Sequence, residues 1–355
     1  MTQQSASAPE FPAHDHDLEQ TLFDAVLASF AEGAERSGEI PSDDEFDARL
    51  TQVAEQALPR LTHAMLDAAL VEASVGAAER RARRAEFQAA VRRGWGDALN
   101  LLELLIDAFH EYGRDGLLAT GRAGSLAGDA RLSALGRLHA RACRTAYEVL
   151  SLLECGLADG ALARCRTLHE IAIVGTVLGA NAPVVAERYT RHAAVRAERA
   201  MRDFNPHHAA LGWEPIPAAA LQAAAAHVEA LVEEYGSRYR HDYGWADGVV
   251  APAVAGHKVA IQDLERAAGL AHYRPFGDWA SGSVHAGPQG LQSLGHPLDP
   301  TREVLYAGGS TSGLADPGQH AALSLGHFVA ALAPHLPPSL ERLARGQAVT
   351  GLVPR

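Results

Sequence analysis

Apolar residues recur in this chain at steps of three and four positions and almost nowhere alternate. Leu18, Leu22, Val26 and Phe30, with Phe23 and Leu27 beside them, draw one such stripe; Phe46, Leu50, Val53 and Leu58 draw the next. This spacing gathers the marked residues on one face of an α-helix, whereas a half-buried strand needs a period of two. Strand formers rarely cluster, and alanine recurs in nearly every segment, so the helices are expected to pack closely through small side chains. The reading is an all-α protein, a helical bundle with an additional N-terminal helical layer.

The breaks between stripes give the organisation. Pro41-Ser42-Asp43-Asp44 supplies a turn and a cap, and Pro59 is expected to kink or interrupt the helix that follows. A long helix then turns from a solvated face around Arg81, Arg83 and Arg84 to an apolar one at Leu99, Leu102, Leu105, Ile106 and Phe109. The glycines of residues 113–128 mark the expected boundary. Beyond it, helices are expected over Leu132–Leu157, Ala161–Leu178, from Pro183 to the Asn205-Pro206 stop, Ala218–Tyr235, Val259–Leu270 and Gln319–Leu332. A broken helix is expected over His272–His285, followed by a long Gly- and Pro-bearing loop.

At 355 residues the chain exceeds the usual reach of one core, which suggests two units. The expected division is a flexible lead-in over 1–15, an N-terminal helical region over 16–115, a main helical domain over 129–335 and a tail over 336–355. That tail ends in Leu-Val-Pro-Arg, either native or the remnant of a thrombin-cleaved tag, and carries no functional weight.

Charge and composition exclude several classes. The net charge of −12 gives no bulk attraction for nucleic acid, so any RNA contact must be local. No apolar run approaches the roughly 18 residues of a membrane span, and no signal-peptide pattern opens the chain. No membrane contact and a cytoplasmic location are the expectation. Cys143, Cys155 and Cys165 are odd in number and lack CxxC spacing, which points to buried free thiols rather than disulfides or a zinc ribbon. Phosphate-loop, dinucleotide, zinc-protease and esterase signatures are missing, and the Gly308–Gly313 run, with no lysine after it and no strand before it, reads as a flexible loop. His207, His208, His257, His272, His285 and His296 are too irregularly spaced to assign a metal, and no cofactor is expected.

Two constellations remain. Arg166 and Glu170 stand four apart on an otherwise apolar helix, so they meet on one face near the core, either as a buried clamp between helices or as part of a binding site. Ser281 and His285 are likewise one turn apart at the mouth of the long loop, either ending a helix or lining a pocket. No acidic residue orients the histidine and no strained turn presents the serine, which argues against acyl transfer.

Taken with Arg188-Tyr189 and His192 between them, these stretches resemble a bacterial family known only as a domain of unknown function, over roughly residues 130 to 335. That family in turn resembles, more distantly, the HEPN helical bundles, several of which are ribonucleases in toxin and phage-defence systems. By this resemblance Arg166, Glu170, His192, Ser281 and His285 occupy the recurring polar positions, and they are the expected ligand-binding residues. HEPN nucleases carry an arginine and, a few positions later, a histidine, in a dimer cleft. Arg202 and His208 reproduce that spacing and are the expected catalytic pair of the alternative, a metal-independent endoribonuclease. Two functions follow: a binding or regulatory protein with a polar pocket for a small molecule, or a nuclease acting on RNA, a homo-oligomer in either case.

Overall fold

Asp129 shows how local chemistry sets the main bundle. Its carboxylate accepts from the backbone N–H groups of Arg131 at 2.8 Å and Leu132 at 3.2 Å, capping a helix over Ala130–Glu154. The computed structural model describes residues 43–122, 128–282 and 308–336, with positions 28, 31 and 284. Among the described residues there are nine α-helices and no strand, so the molecule is an all-α helical bundle.

In chain order the helices are α1 (Asp43–Arg122), α2 (Ala130–Glu154), α3 (Ala158–Ala180), α4 (Pro183–Arg191), α5 (Ala193–Phe204), α6 (Ala218–Tyr235), α7 (Ile261–Ala267), α8 (Arg274–Gly282) and α9 (Ala315–Leu332). The chain divides into two compact units, Met1–Glu86 and Phe87–Arg355, with the boundary inside α1. In the first unit the Arg81–Arg84 run is exposed, and Arg83 pairs with Glu79 at 2.6 Å, an ordinary solvated helix face. The expected lead-in, the helix over Leu18–Phe30 and the tail from 337 lie outside the described residues.

The second unit holds the core. α2 buries Leu135, Leu138, Ala142, Ala146, Val149 and Leu153 at three- and four-residue steps, while α3 buries Leu162, Leu168, Ile171, Ile173 and Val177 almost all round. α9 lies directly on α3. A Cβ built on Gly175 would fall 2.6 Å from the Phe328 ring, and one on Gly179 would fall 2.8 Å from the Ala331 carbonyl oxygen. Small residues on α3 therefore set the approach of the two helices, as the alanine-rich composition suggested.

At one of two expected breaks the helix is uninterrupted; at the other it ends within the expected 113–128 run, past its first three glycines. α1 runs past Pro59 and continues through Gly113 and Gly116 to Arg122. Gly113 serves packing: a Cβ there would fall 2.1 Å from Nε2 of His139, whose ring is buried and hydrogen-bonded to the Phe109 carbonyl at 2.9 Å. The roughly 1 kcal/mol that a mid-helix glycine costs is outweighed by burial of Leu102, Ile106 and Phe109 on the same helix. No helix among the described residues is long and apolar enough to cross a membrane.

Candidate functional site

Arg166 and Glu170 lie one turn apart on α3, with Arg166 Nε 3.3 Å from a Glu170 carboxylate oxygen. The pair is not buried as expected: its side chains are 33% and 41% exposed. An exposed helical pair of this kind contributes about 0.3–0.5 kcal/mol, far below the worth of a buried clamp.

The guanidinium makes a second, long-range contact. Nη1 of Arg166 donates to the hydroxyl of Ser281 on α8, 115 residues further along the chain. Ser281 in turn donates to the Gly277 carbonyl at 2.7 Å, so its hydroxyl is oriented at both ends. A hydroxyl whose proton is committed to its own helix is a positioning group, not a nucleophile.

Around this contact α3, α8 and α9 enclose a cavity of about 20 Å³, walled by Arg166, Cys165, His169, Tyr273, Phe276 and His320 among others. That is room for one water molecule or one functional group of a ligand. Burial, with His327, His320 and His272 nearby, pulls the His169 imidazole down to about 4, so it is neutral at physiological pH. Burial is also the main reason that His320 and His327 are lowered. Nε2 of His169 and of His327 are buried without a hydrogen-bond partner, while the rings pack on Tyr273 at 5.9 and 5.3 Å. Cys165 offers no thiolate chemistry, because burial pushes it up to about 12 and its thiol donates to the Pro317 carbonyl. Among the described residues no group of three or more His, Cys, Asp or Glu is arranged to hold a metal ion.

Three of the five expected ligand-binding residues, Arg166, Glu170 and Ser281, thus come together, and His285 lies outside the described residues. His192 is placed elsewhere, at the junction of α4 and α5. Its Nε2 donates to the carbonyls of Tyr239 at 3.0 Å and His241 at 2.8 Å, and its ring meets Tyr239 edge-on. The neighbouring arginines do similar work. Arg188 donates to the Asp247 carbonyl, and Arg191 pairs with Glu234 and packs on Tyr235, which fastens α4 to α6 and the segment after it. Tyr243 is raised by burial and next by the Glu170 charge.

The expected catalytic pair engages only near neighbours in sequence. Arg202 binds Glu198 at 3.1 Å, and Nδ1 of the exposed His208 donates to the Trp213 carbonyl at 2.9 Å. The residues that sequence reasoning missed are His169, Tyr273, His320 and His327. The faint signals were His169 lying between Arg166 and Glu170, and the seven-residue spacing of His320 and His327, which sets both on one face of α9.

Residues 132–300 match the model of a family described as a "Family of unknown function (DUF5677)". This bears out the expected resemblance to a family known only as a domain of unknown function. The matched span contains Arg166, Glu170 and Ser281 but stops before α9, so the histidines of α9 fall outside it. No curated protein and no solved structure matches the chain.

Proposed function

We propose that this protein is a binding or regulatory helical bundle that holds the acidic group of a small molecule in the cleft between α3 and α8. Arg166 is the anchoring cation, Ser281 fixes its direction, Glu170 balances its charge, and the neutral His169 offers a further polar contact. The observation that carries this reading is the bond from Arg166 to Ser281 beside a small cavity with unpartnered imidazole nitrogen. A half-exposed ion pair adds too little stability to explain a cation tied across two helices. A guanidinium has five N–H donors in a planar fork suited to a carboxylate or phosphate, and the contacts to Glu170 and Ser281 draw on only two of its nitrogens.

Thermal denaturation against a panel of small carboxylates and phosphate esters tests the proposal. A bound ligand raises the wild-type melting temperature at saturating concentration and fails to do so in Arg166→Met. A shift of the same size in both proteins, or none across the panel, would defeat it. The same preparations incubated with total RNA and EDTA test the other function: cleavage that disappears in His208→Ala would move the active centre to the end of α5.

A further inference from the structure

Beside the Arg166 cleft, and sharing only Leu162 with it, the second unit holds a cavity of about 480 Å³, within the range of small-molecule sites. Phe87, the turn from α2 into α3, the first turn of α9 and Trp279 of α8 surround it, and the 308–313 run closes one side. That run is not the flexible loop its composition suggested. The Trp95 indole N–H donates to the Thr311 carbonyl at 2.8 Å, and the Ser310 N–H donates to the Gly156 carbonyl at 2.8 Å. Glycine permits so close a seam: Gly156 sits at φ +71°, and a Cβ on Gly309 would fall 2.5 Å from the Cys155 carbonyl oxygen. Backbone bonds therefore hold this wall and the polar residues it carries in place.

The chemistry of the lining selects among ligands. No lysine or arginine borders the cavity, while Asp159 and Asp316 do, so an anion finds no countercharge there. The carboxylates are not an empty cation trap either: Asp159 has an interaction of its own within the chain, and the Asp316 charge acts on His320. A wholly apolar ligand would bury Ser310, Thr311 and Ser312 against groups that cannot hydrogen-bond. What fits is an uncharged molecule with one apolar face and many hydroxyls. Trp279 matches the face: it borders the space and is 52% exposed, leaving indole surface for flat packing. Serine hydroxyls both donate and accept, and a carboxylate accepts at about four sites, so Asp316 has capacity for ligand hydroxyls beside its action on His320. We infer that this cavity binds a neutral sugar, its C–H face packed on Trp279 and its hydroxyls turned towards Ser310, Ser312 and Asp316. The site stands independently of the Arg166 cleft and of the acidic ligand proposed for it.

Calorimetric titration of the full chain with glucose, galactose and maltose, and with glucuronate, choline and benzyl alcohol as an anion, a cation and an apolar ring, tests the inference. At least one sugar binds saturably, and each comparator binds at least about tenfold more weakly than the best sugar. Trp279→Leu abolishes the sugar heat, Trp279→Phe retains part of it, and Asp316→Ala weakens binding several-fold, all with wild-type helicity. No saturable binding of any sugar, unaltered sugar affinity in Trp279→Leu, or a comparator that binds as tightly as the best sugar would overturn it.

Discussion

Arg166 and Arg202 look alike in the sequence, each with a partner residue at a motif-like spacing, yet the fold uses them differently. Arg166 reaches across 115 positions to Ser281 on another helix and borders a cavity with buried imidazoles. Arg202, itself exposed, holds Glu198 four positions away on its own helix, and His208 holds the carbonyl of Trp213, five positions on. Helical spacing brings charged residues together wherever a helix exists, so a local pair is weak grounds for a site. A polar contact between distant segments, where apolar packing would have been cheaper, is stronger grounds.

The difference is sharpened first by acid. His169 has a folded-state value near 4, set mainly by burial, against an ordinary 6.5. Between those values the unfolded chain binds more protons, so stability falls as pH drops from 6.5 towards 4 and levels off below that. The two and a half units correspond to a loss on the order of 3 kcal/mol, to which the lowered His139, His192, His320, His327 and His335 add in the same direction. Denaturant melts between pH 4 and 7 should therefore show a steep acid limb that His169→Phe flattens. An unchanged limb in that variant would place the ring in solvent and remove the first region's claim to a desolvated cavity.

Smaller effects follow at the contact itself. Ser281→Ala removes the acceptor of Arg166 and should lower stability by about 1 kcal/mol, seen as a melting shift of roughly 2–4 °C. Glu170→Ala should cost about 0.5 kcal/mol, since the pair is partly exposed; a loss of several kcal/mol would show that it acts as a buried clamp instead. Smallest of all, Arg202→Ala should change the melting temperature hardly at all, with a cost within about 0.5 kcal/mol. A large loss there would erase the contrast between the regions.

Much of the fold was legible because helices write their buried faces at a fixed period. Leu135, Leu138 and Ala142 could be read as a core stripe before any coordinates. The failures came where packing overrode local preference. The 113–128 run does end α1, at Arg122, but Gly113 within it stays helical and is the gap into which His139 fits. The pairing of Arg166 with Glu170 was legible from spacing, but their exposure was not, because a helix that is apolar nearly all round does not announce which edge its neighbours leave open. Ser281 was visible as a polar residue, while its approach to Arg166 depends on where α8 crosses α3. The cavity residues His169, His320 and Tyr273 come from α3, α9 and the turn before α8, three segments whose convergence no local pattern encodes.

The central claim is that Arg166, and not Arg202, anchors the ligand. Calorimetric titration of the acidic ligand selected by the thermal panel into wild type, Arg166→Met and Arg202→Met tests it most directly. Loss of a charge-assisted contact predicts affinity weakened by on the order of 10- to 100-fold in Arg166→Met, with Arg202→Met indistinguishable from wild type. Equal affinity in wild type and Arg166→Met, or weakening in Arg202→Met alone, would contradict it.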